Sequence, residues 1–332
     1  MLPVVRIAVT GSIATDHLMV FDGLFSDSLV VDQLQKVALS FLVHDLQIRR
    51  GGTAANITFG LGVLGLRPLL VGSVGEDFAE YRAWLERHNV DCSHIRVSEV
   101  LHTARFVCTT DRAQAQIGSF YAGAMSESRQ IELGPILAGG PLDLVLVGPT
   151  DPEAMLRHTE ECRHLGLPFA ADPGQQLAWL QDGATIRQLV DGAKYLFTND
   201  YEAALLTQKT GWSDEDVLSR VEMRIITHGA DGVVVERRGE APIKVPAVTT
   251  ERIADPTGVG DAFRAGFLAG LSWGLPDERC AQLGCLMATC VLETVGTQEY
   301  NLGQQALLHR LAAAYGDDAA TAVAPHLRML RP

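Results

Sequence analysis

The chain has 332 residues, of which 47% are hydrophobic and 20% charged, enough for one large or two medium hydrophobic cores and incompatible with wholesale disorder. With 27 Lys and Arg against 40 Asp and Glu, the net charge of −13 repels nucleic acid and anionic membrane, so an anionic ligand has to be held by local dipoles or a metal ion. The longest strongly apolar run, about ten residues near Leu283 to Leu292, is well short of the roughly 20 that a membrane span requires.

The opening MLPVVRIAVT runs straight into a strand-like segment without a longer apolar h-region or a small-residue cleavage site, so a cytoplasmic location is expected. Strands are predicted at Arg6 to Thr10, Pro68 to Gly72, Leu142 to Val147, Pro168 to Ala171, Tyr195 to Thr198 and Arg224 to Thr227. Helical patterns separate them, among them Ala54 to Leu64, Asp77 to His88, Pro152 to Leu165 and Asp200 to Gln208. This alternation predicts a doubly wound α/β fold with a mostly parallel sheet flanked by helices. Leu18 to Arg50 and Leu101 to Ala122 break the rhythm, alternating β-branched and aromatic residues without a helical stripe. They are expected to pair as a small β-sheet lid inserted into one domain spanning residues 1–332. No linker or fixed-period repeat marks a boundary, and from Gly258 onward the chain reads as mainly helical and Ala-rich.

Several patterns lead away from chemistry. Gly60-Leu61-Gly62-Val63-Leu64-Gly65 has the GxGxxG spelling of a dinucleotide site but lies in or at the end of a helix, where glycines permit close helix packing. No GxxxxGKS or GxxxxGKT occurs. The six cysteines are expected to be reduced and mostly buried. Cys280, Cys285 and Cys290 recur every five residues, about 140° apart on a helix, and do not readily converge on a metal. The histidines show no tight ligand pair.

The strongest signal is Asp255-Pro256-Thr257-Gly258-Val259-Gly260-Asp261-Ala262-Phe263-Arg264-Ala265-Gly266, a glycine-rich turn opening a helix. Gly258 and Gly260 let the backbone amides around Val259 converge, and the helix N-terminus adds partial positive charge, so the turn suits an oxyanion. A carboxylate at Asp261 is placed to accept a proton from a hydroxyl attacking phosphorus. The alternative is that Asp261 caps a helix behind an ordinary turn.

That string resembles the DTxGAGD signature of the ribokinase-like, PfkB-type family of sugar and nucleoside kinases, with Pro256 before Thr257 and Val259 where Ala is common. Gly51-Gly52 followed by Asn56 resembles the family's GGxxxN element, and Gly11 and Asp16 match its early Gly and sugar-binding Asp. The resemblance therefore covers essentially the whole chain. It implies that Asn199-Asp200-Tyr201-Glu202 is the NxxE element, in which Asn199 and Glu202 act largely through water on the metal ion. It also implies that the TxGxxG loop Thr227, His228, Gly229 and Gly232 lies against the nucleotide. A helix cap and a tight turn between strands are the respective structural alternatives.

Ser12, Asp16, Gly52 and Asn56 suit the vicinal hydroxyls of a ribose. Phe106 and Phe120 offer aromatic faces, and Gln175 and Gln176 amide edges, for a purine; ordinary sheet packing is the alternative for each Phe. GSIATDHLM, LSFLVHDL, HTARFVCTTD, QIGSFYAGAMSE, DPGQQLAWL and YLFTNDYE resemble the adenosine kinases of actinobacterial type. Gly174 stands where those have Ser, and Ala55 where they have Gly. The resemblance implies adenosine contacts at Ser12, Asp16, Ser40, Gly52, Asn56, Phe106, Phe120, Gln175 and Gln176. It further implies ATP and Mg²⁺, with Glu202 reaching the metal through water, AMP as product, and a homodimer joined through the lid sheets. A ribokinase or other sugar kinase is the alternative enzyme, and a non-catalytic nucleoside-binding protein the alternative from another class.

Overall fold

Continuous apolar runs such as IAVT and LVLV are too short for helices and suit strands buried on both faces. In a computed structural model, which describes residues 5–28 and 40–329, they form the centre of an eight-stranded sheet. The strands in chain order are β1 (Ile7–Thr10), β2 (Ala14–Phe21), β3 (Asp45–Gly51), β4 (Leu69–Val71), β5 (Ser73–Gly75), β6 (Arg96–Ser98) and β7 (Ala104–Asp111). They continue as β8 (Gln116–Tyr121), β9 (Leu144–Val147), β10 (Phe169–Ala171), β11 (Tyr195–Asn199), β12 (Met223–Thr227), β13 (Val233–Glu236) and β14 (Ile243–Val245). The main sheet has the order β14-β13-β12-β11-β10-β9-β1-β4, parallel from β4 to β12 and closed by an antiparallel hairpin.

Alternation along the strands divides the core into two layers. Ile7, Val9, Leu144 and Leu146 join the helices Thr53–Val63, Val259–Ser272 and Asp277–Leu292 on one face. Ala8, Val145 and Val147 join Pro152–Leu165 and Gly183–Val190 on the other. Helix Pro152–Leu165 has the predicted bounds, because Asp151 accepts from the amides of Glu153 and Ala154, Pro152 opens it and left-handed Gly166 ends it. The GxGxxG spelling is accounted for by packing: a Cβ on Gly60 would stand 2.5 Å from that of Ala265 in helix Val259–Ser272.

A second sheet, β3-β2-β7-β8, is the lid. It begins at Ala14, four residues before the predicted start at Leu18, because polar Asp16 and His17 hide the alternation of a strand already formed. Asp16 pairs in register with Arg49 and Phe106, and Phe106 with Phe120, so these four side chains share one face. Both edges of this sheet, β3 and β8, are largely exposed.

Candidate active site

From β1 the chain crosses to β4 on one side, while β9, β10 and β11 lie on the other, so the strand order reverses at β1. A crevice outside the carboxyl ends of parallel strands at such a point is where open α/β sheets bind ligands. Here it is a cavity of about 560 Å³ between the main sheet and the lid. Ser12 after β1, Pro149 after β9, Asp172 after β10 and Asn199 at the end of β11 line its floor; Ala14, Asp16 and Phe120 line the lid side.

The glycine-rich turn forms part of the cavity lining. Gly258 has φ +77°, and a Cβ there would also lie 2.8 Å from Thr297, so a side chain is excluded on both grounds. No side chain caps the helix that follows, leaving its first amides free for an anion. Val259 packs its side chain on the core and, unlike Gly258 and Gly260, is not among the residues lining the cavity. Asp261 does not cap the helix. Its Oδ2 accepts from Asn56 Nδ2 at 2.8 Å. Burial pushes Asp261 up to about 7; the Asn56 hydrogen bond and Arg264 pull it down, and Asp172 and Glu202 push it up. A carboxyl so poised takes a proton near neutral pH.

Beneath the turn, Arg264 is 7% exposed and donates from Nη2 to Asp172 Oδ1 at 2.7 Å and from Nη1 to Gly260 O at 3.1 Å. Its Nε also faces Asp172 Oδ2, and Glu202 lies 4.0 Å away. Burial alone would lower the pKa of Arg264, but Asp172 and the other carboxylates hold it above its ordinary value. Asn199 and Glu202 form a reciprocal helix cap, 2.8 Å and 2.9 Å, and line the cavity as well. Burial, then Asp172, raises the pKa of Glu202.

Where β1 meets the lid, Ser12 Oγ accepts from the Thr53 amide at 3.0 Å, fixing the start of helix Thr53–Val63. Gly52 has φ +93°, and a Cβ there would meet Ser12 O and the Ala14 amide at 2.6 Å, so only glycine lets the lid strand enter this close to β1. Burial pushes Asp16 up to about 6, opposed by Arg49 and reinforced by Asp255. Ser12, Asp16, Gly52, Asn56, Phe120, Gln175 and Gln176 all line the cavity, as do Gly258, Gly260 and Asp261. Gln176 Nε2 donates to Thr150 O at 2.8 Å, fixing the orientation of that amide.

Other predicted residues stand elsewhere. Phe106, 36% exposed, lines an adjoining cavity of about 100 Å³ with Arg49 and Asp255, one cross-strand step behind Phe120. Ser40 is exposed and outside the lining. Thr227, His228, Gly229 and Gly232 form the β12–β13 turn beyond the cavity wall; Thr227 pairs in register with Asn199, and His228 Nδ1 meets Asp200. That juxtaposition continues the Asn199 edge of the cavity outward along the sheet.

Asp172, Arg264, Thr297, Met125 and Trp179 also line the cavity and carry no sequence assignment. Arg264 left one trace, a lone cation among Ala262, Phe263, Ala265 and Gly266 that requires a buried partner. Trp179 follows the paired glutamines and is 76% exposed, an aromatic surface open at the rim.

Comparison with known proteins gives a consistent result. Residues 15–302 match the pfkB family of carbohydrate kinases. The chain is 36% identical to the nucleoside kinase of Burkholderia thailandensis, solved in complex with inosine, with a TM-score of 0.80 over 93% of this chain and 98% of that one. It is 31% identical to a nucleoside kinase of Methanothermobacter thermautotrophicus, covering 85% of this chain and 91% of the relative. A cytidine kinase of Thermococcus kodakarensis is 27% identical, covering 74% and 88%.

Proposed function

Because the chain belongs to the pfkB family of carbohydrate kinases, we propose that it is an ATP- and Mg²⁺-dependent nucleoside kinase that phosphorylates the 5′-hydroxyl of adenosine to AMP. One observation carries this reading: the carboxylate of Asp261, at the uncapped start of a 14-residue helix, lines the same cavity as Phe120, Met125, Trp179 and the paired glutamines. Aromatic faces together with amide edges suit a stacked, hydrogen-bonded base, which a nucleoside has and a bare sugar lacks.

In this reading Asp16 and Asn56 bind the ribose hydroxyls, and Asp261 takes the 5′-hydroxyl proton as that oxygen bonds to the γ-phosphorus and the bond to the leaving ADP oxygen breaks. The amides of Val259, Gly260 and Asp261 receive the charge that develops on the transferred phosphoryl group. Among the described residues no three His, Cys, Asp or Glu side chains form a direct metal cage, and one Glu202 oxygen is engaged in the helix cap. The other oxygen suits a metal-bound water, which fits Mg²⁺, an ion that keeps several waters and comes with the nucleotide phosphates. When bound, the ion neutralises phosphate charge. The Thr227 to Gly232 turn is assigned to the nucleotide side.

A panel of adenosine, inosine, cytidine and ribose, each with ATP, tests the substrate. Adenosine is expected to give the highest kcat/KM and ribose the lowest. Phe120→Ala, at a side chain 55% exposed, is expected to weaken adenosine use by about 1–3 kcal/mol with little change in melting temperature. Ribose phosphorylated better than adenosine would replace the reading with that of a sugar kinase.

The lid supports a homodimer. Leu46, Ile48, Ile117 and Tyr121 are exposed on one face of the lid sheet, whose edges no described strand covers, and a second copy's lid covers such a surface in a closed, symmetric way. Light scattering at micromolar protein is expected to give about twice 35.8 kDa. A monomer mass independent of concentration overturns the assembly.

A further inference from the structure

Gln298 is 1% exposed, in the turn after helix Asp277–Leu292, and every polar atom of its side chain is engaged. Its Oε1 accepts from Trp84 Nε1 at 3.2 Å; its Nε2 donates to the Tyr81 hydroxyl at 2.6 Å and to Asn56 Oδ1 at 2.9 Å. Two neighbours independently fix which way round this amide sits. An indole N–H only donates, so an oxygen must face Trp84. The Tyr81 hydroxyl gives its single proton to the backbone oxygen of Gly51 at 3.0 Å, so it accepts from Gln298, and a nitrogen must face it.

The consequence passes to the next amide. With Gln298 Nε2 against it, Asn56 can present only its oxygen on that side, and its Nδ2 is left to donate to Asp261 Oδ2 at 2.8 Å. A flipped Asn56 would set N–H against N–H at Gln298 and oxygen against carboxylate at Asp261. The Thr297 hydroxyl lies on the same side, 2.9 Å from Asn56 Oδ1, and shares its one proton between that oxygen and Arg50 O at 2.8 Å. Trp84 is itself held firmly, stacked on Phe59 with centroids 6.0 Å apart and covered by the Arg50 guanidinium at 4.1 Å.

We infer that Gln298, oriented by Trp84 and Tyr81, is a positioning residue that keeps Asn56 as hydrogen-bond donor to the Asp261 carboxylate and thereby sets the geometry and proton affinity of the base. The inference rests on the reading of Asp261 as the base. A donor to the charged form lowers a carboxyl's pKa, so loss of this orientation moves the acidic limb of activity to higher pH. The other charged or titratable groups facing Asp261 are Arg264 of its own helix, Asp172 after β10, Glu202 of helix Asp200–Thr210 and Tyr300. The variants below leave all four in place.

Gln298→Met keeps the volume and removes the polarity. It is expected to lower kcat about tenfold, within the roughly 10²-fold that misplaced groups can cost. The acidic limb of the pH profile should move up by about half a unit or more, with KM for ATP within about twofold. Trp84→Phe keeps an aromatic ring against Phe59, removes the N–H together with the five-membered ring that carries it, and should move the limb in the same direction; it serves if Gln298→Met does not fold. A melting temperature that falls while the limb stays put, or an unchanged profile in either folded variant, overturns the inference. Asp261→Asn is run beside them: if it is nearly as active as wild type, the assignment of the base fails, whereas an inactive Asp261→Asn with a normal Gln298→Met profile sinks the positioning role alone.

Discussion

Asp261→Asn is expected to lower phosphoryl transfer by about 10²–10⁴-fold, the range for losing a positioned proton acceptor, while leaving the fold and nucleoside binding largely intact. The amide is nearly isosteric and still offers an oxygen to Asn56 Nδ2, so the hydrogen-bonded surroundings of the carboxyl persist. What disappears is the charge and the capacity to take the proton. The pH dependence separates the two. With Asp261 near 7, kcat/KM of the wild type rises with pH through neutrality, because only the ionised carboxylate accepts a proton.

Stability moves the other way. The folded state holds a proton that the unfolded chain releases near 3.8, so the favourable contribution of protonated Asp261 is full below that pH and is lost as pH rises through about 7. The Asn variant lacks this titration and should gain relative to wild type in melts at pH 8 compared with pH 4. Asp16, raised to about 6, contributes with the same sign and remains in the variant. Turnover within a few-fold of wild type would remove Asp261 from the mechanism.

Arg264→Met is expected to produce the largest loss of stability, about 3–5 kcal/mol, because it strands a buried carboxylate. Asp172 is 2% exposed and faces the guanidinium through both oxygens. Methionine fills much of the aliphatic volume, so the loss reports the charge more than a cavity. It also withdraws a cation from Asp261, which raises that carboxyl's proton affinity and moves the acidic limb of activity upward. Urea denaturation with melting at matched pH measures the first effect and a pH–rate profile the second. A change below about 1 kcal/mol would place this pair with exposed pairs such as Arg220–Asp191, which contribute about 0–1 kcal/mol.

What the chain made legible by itself was whatever its chemistry confined to a short stretch. Strand and helix alternation shows in windows of a few residues, and the bounds of Pro152–Leu165 follow from Asp151, Pro152 and Gly166 alone. The Asp261 turn could be read because glycines, helix start and acid are contiguous. The NxxE element could be read as a cap, since Asn199 and Glu202 are one helical turn apart, while its role toward a metal ion came only from the family resemblance.

The tertiary structure alone decided what depends on registry and convergence. Phe106 and Phe120 look equivalent as aromatic residues in alternating strands, yet their places in paired β7 and β8 put Phe120 in the cavity and Phe106 in the smaller space beside it. Arg264 meets Asp172 across 92 residues, and Gln298 meets Asn56 across 242. Neither pair carries a local pattern. A hydrogen bond is made or lost within a fraction of an ångström, and that distance is set by which strand ends and helix starts the fold brings to one crevice, a quantity that spacing along the chain does not contain.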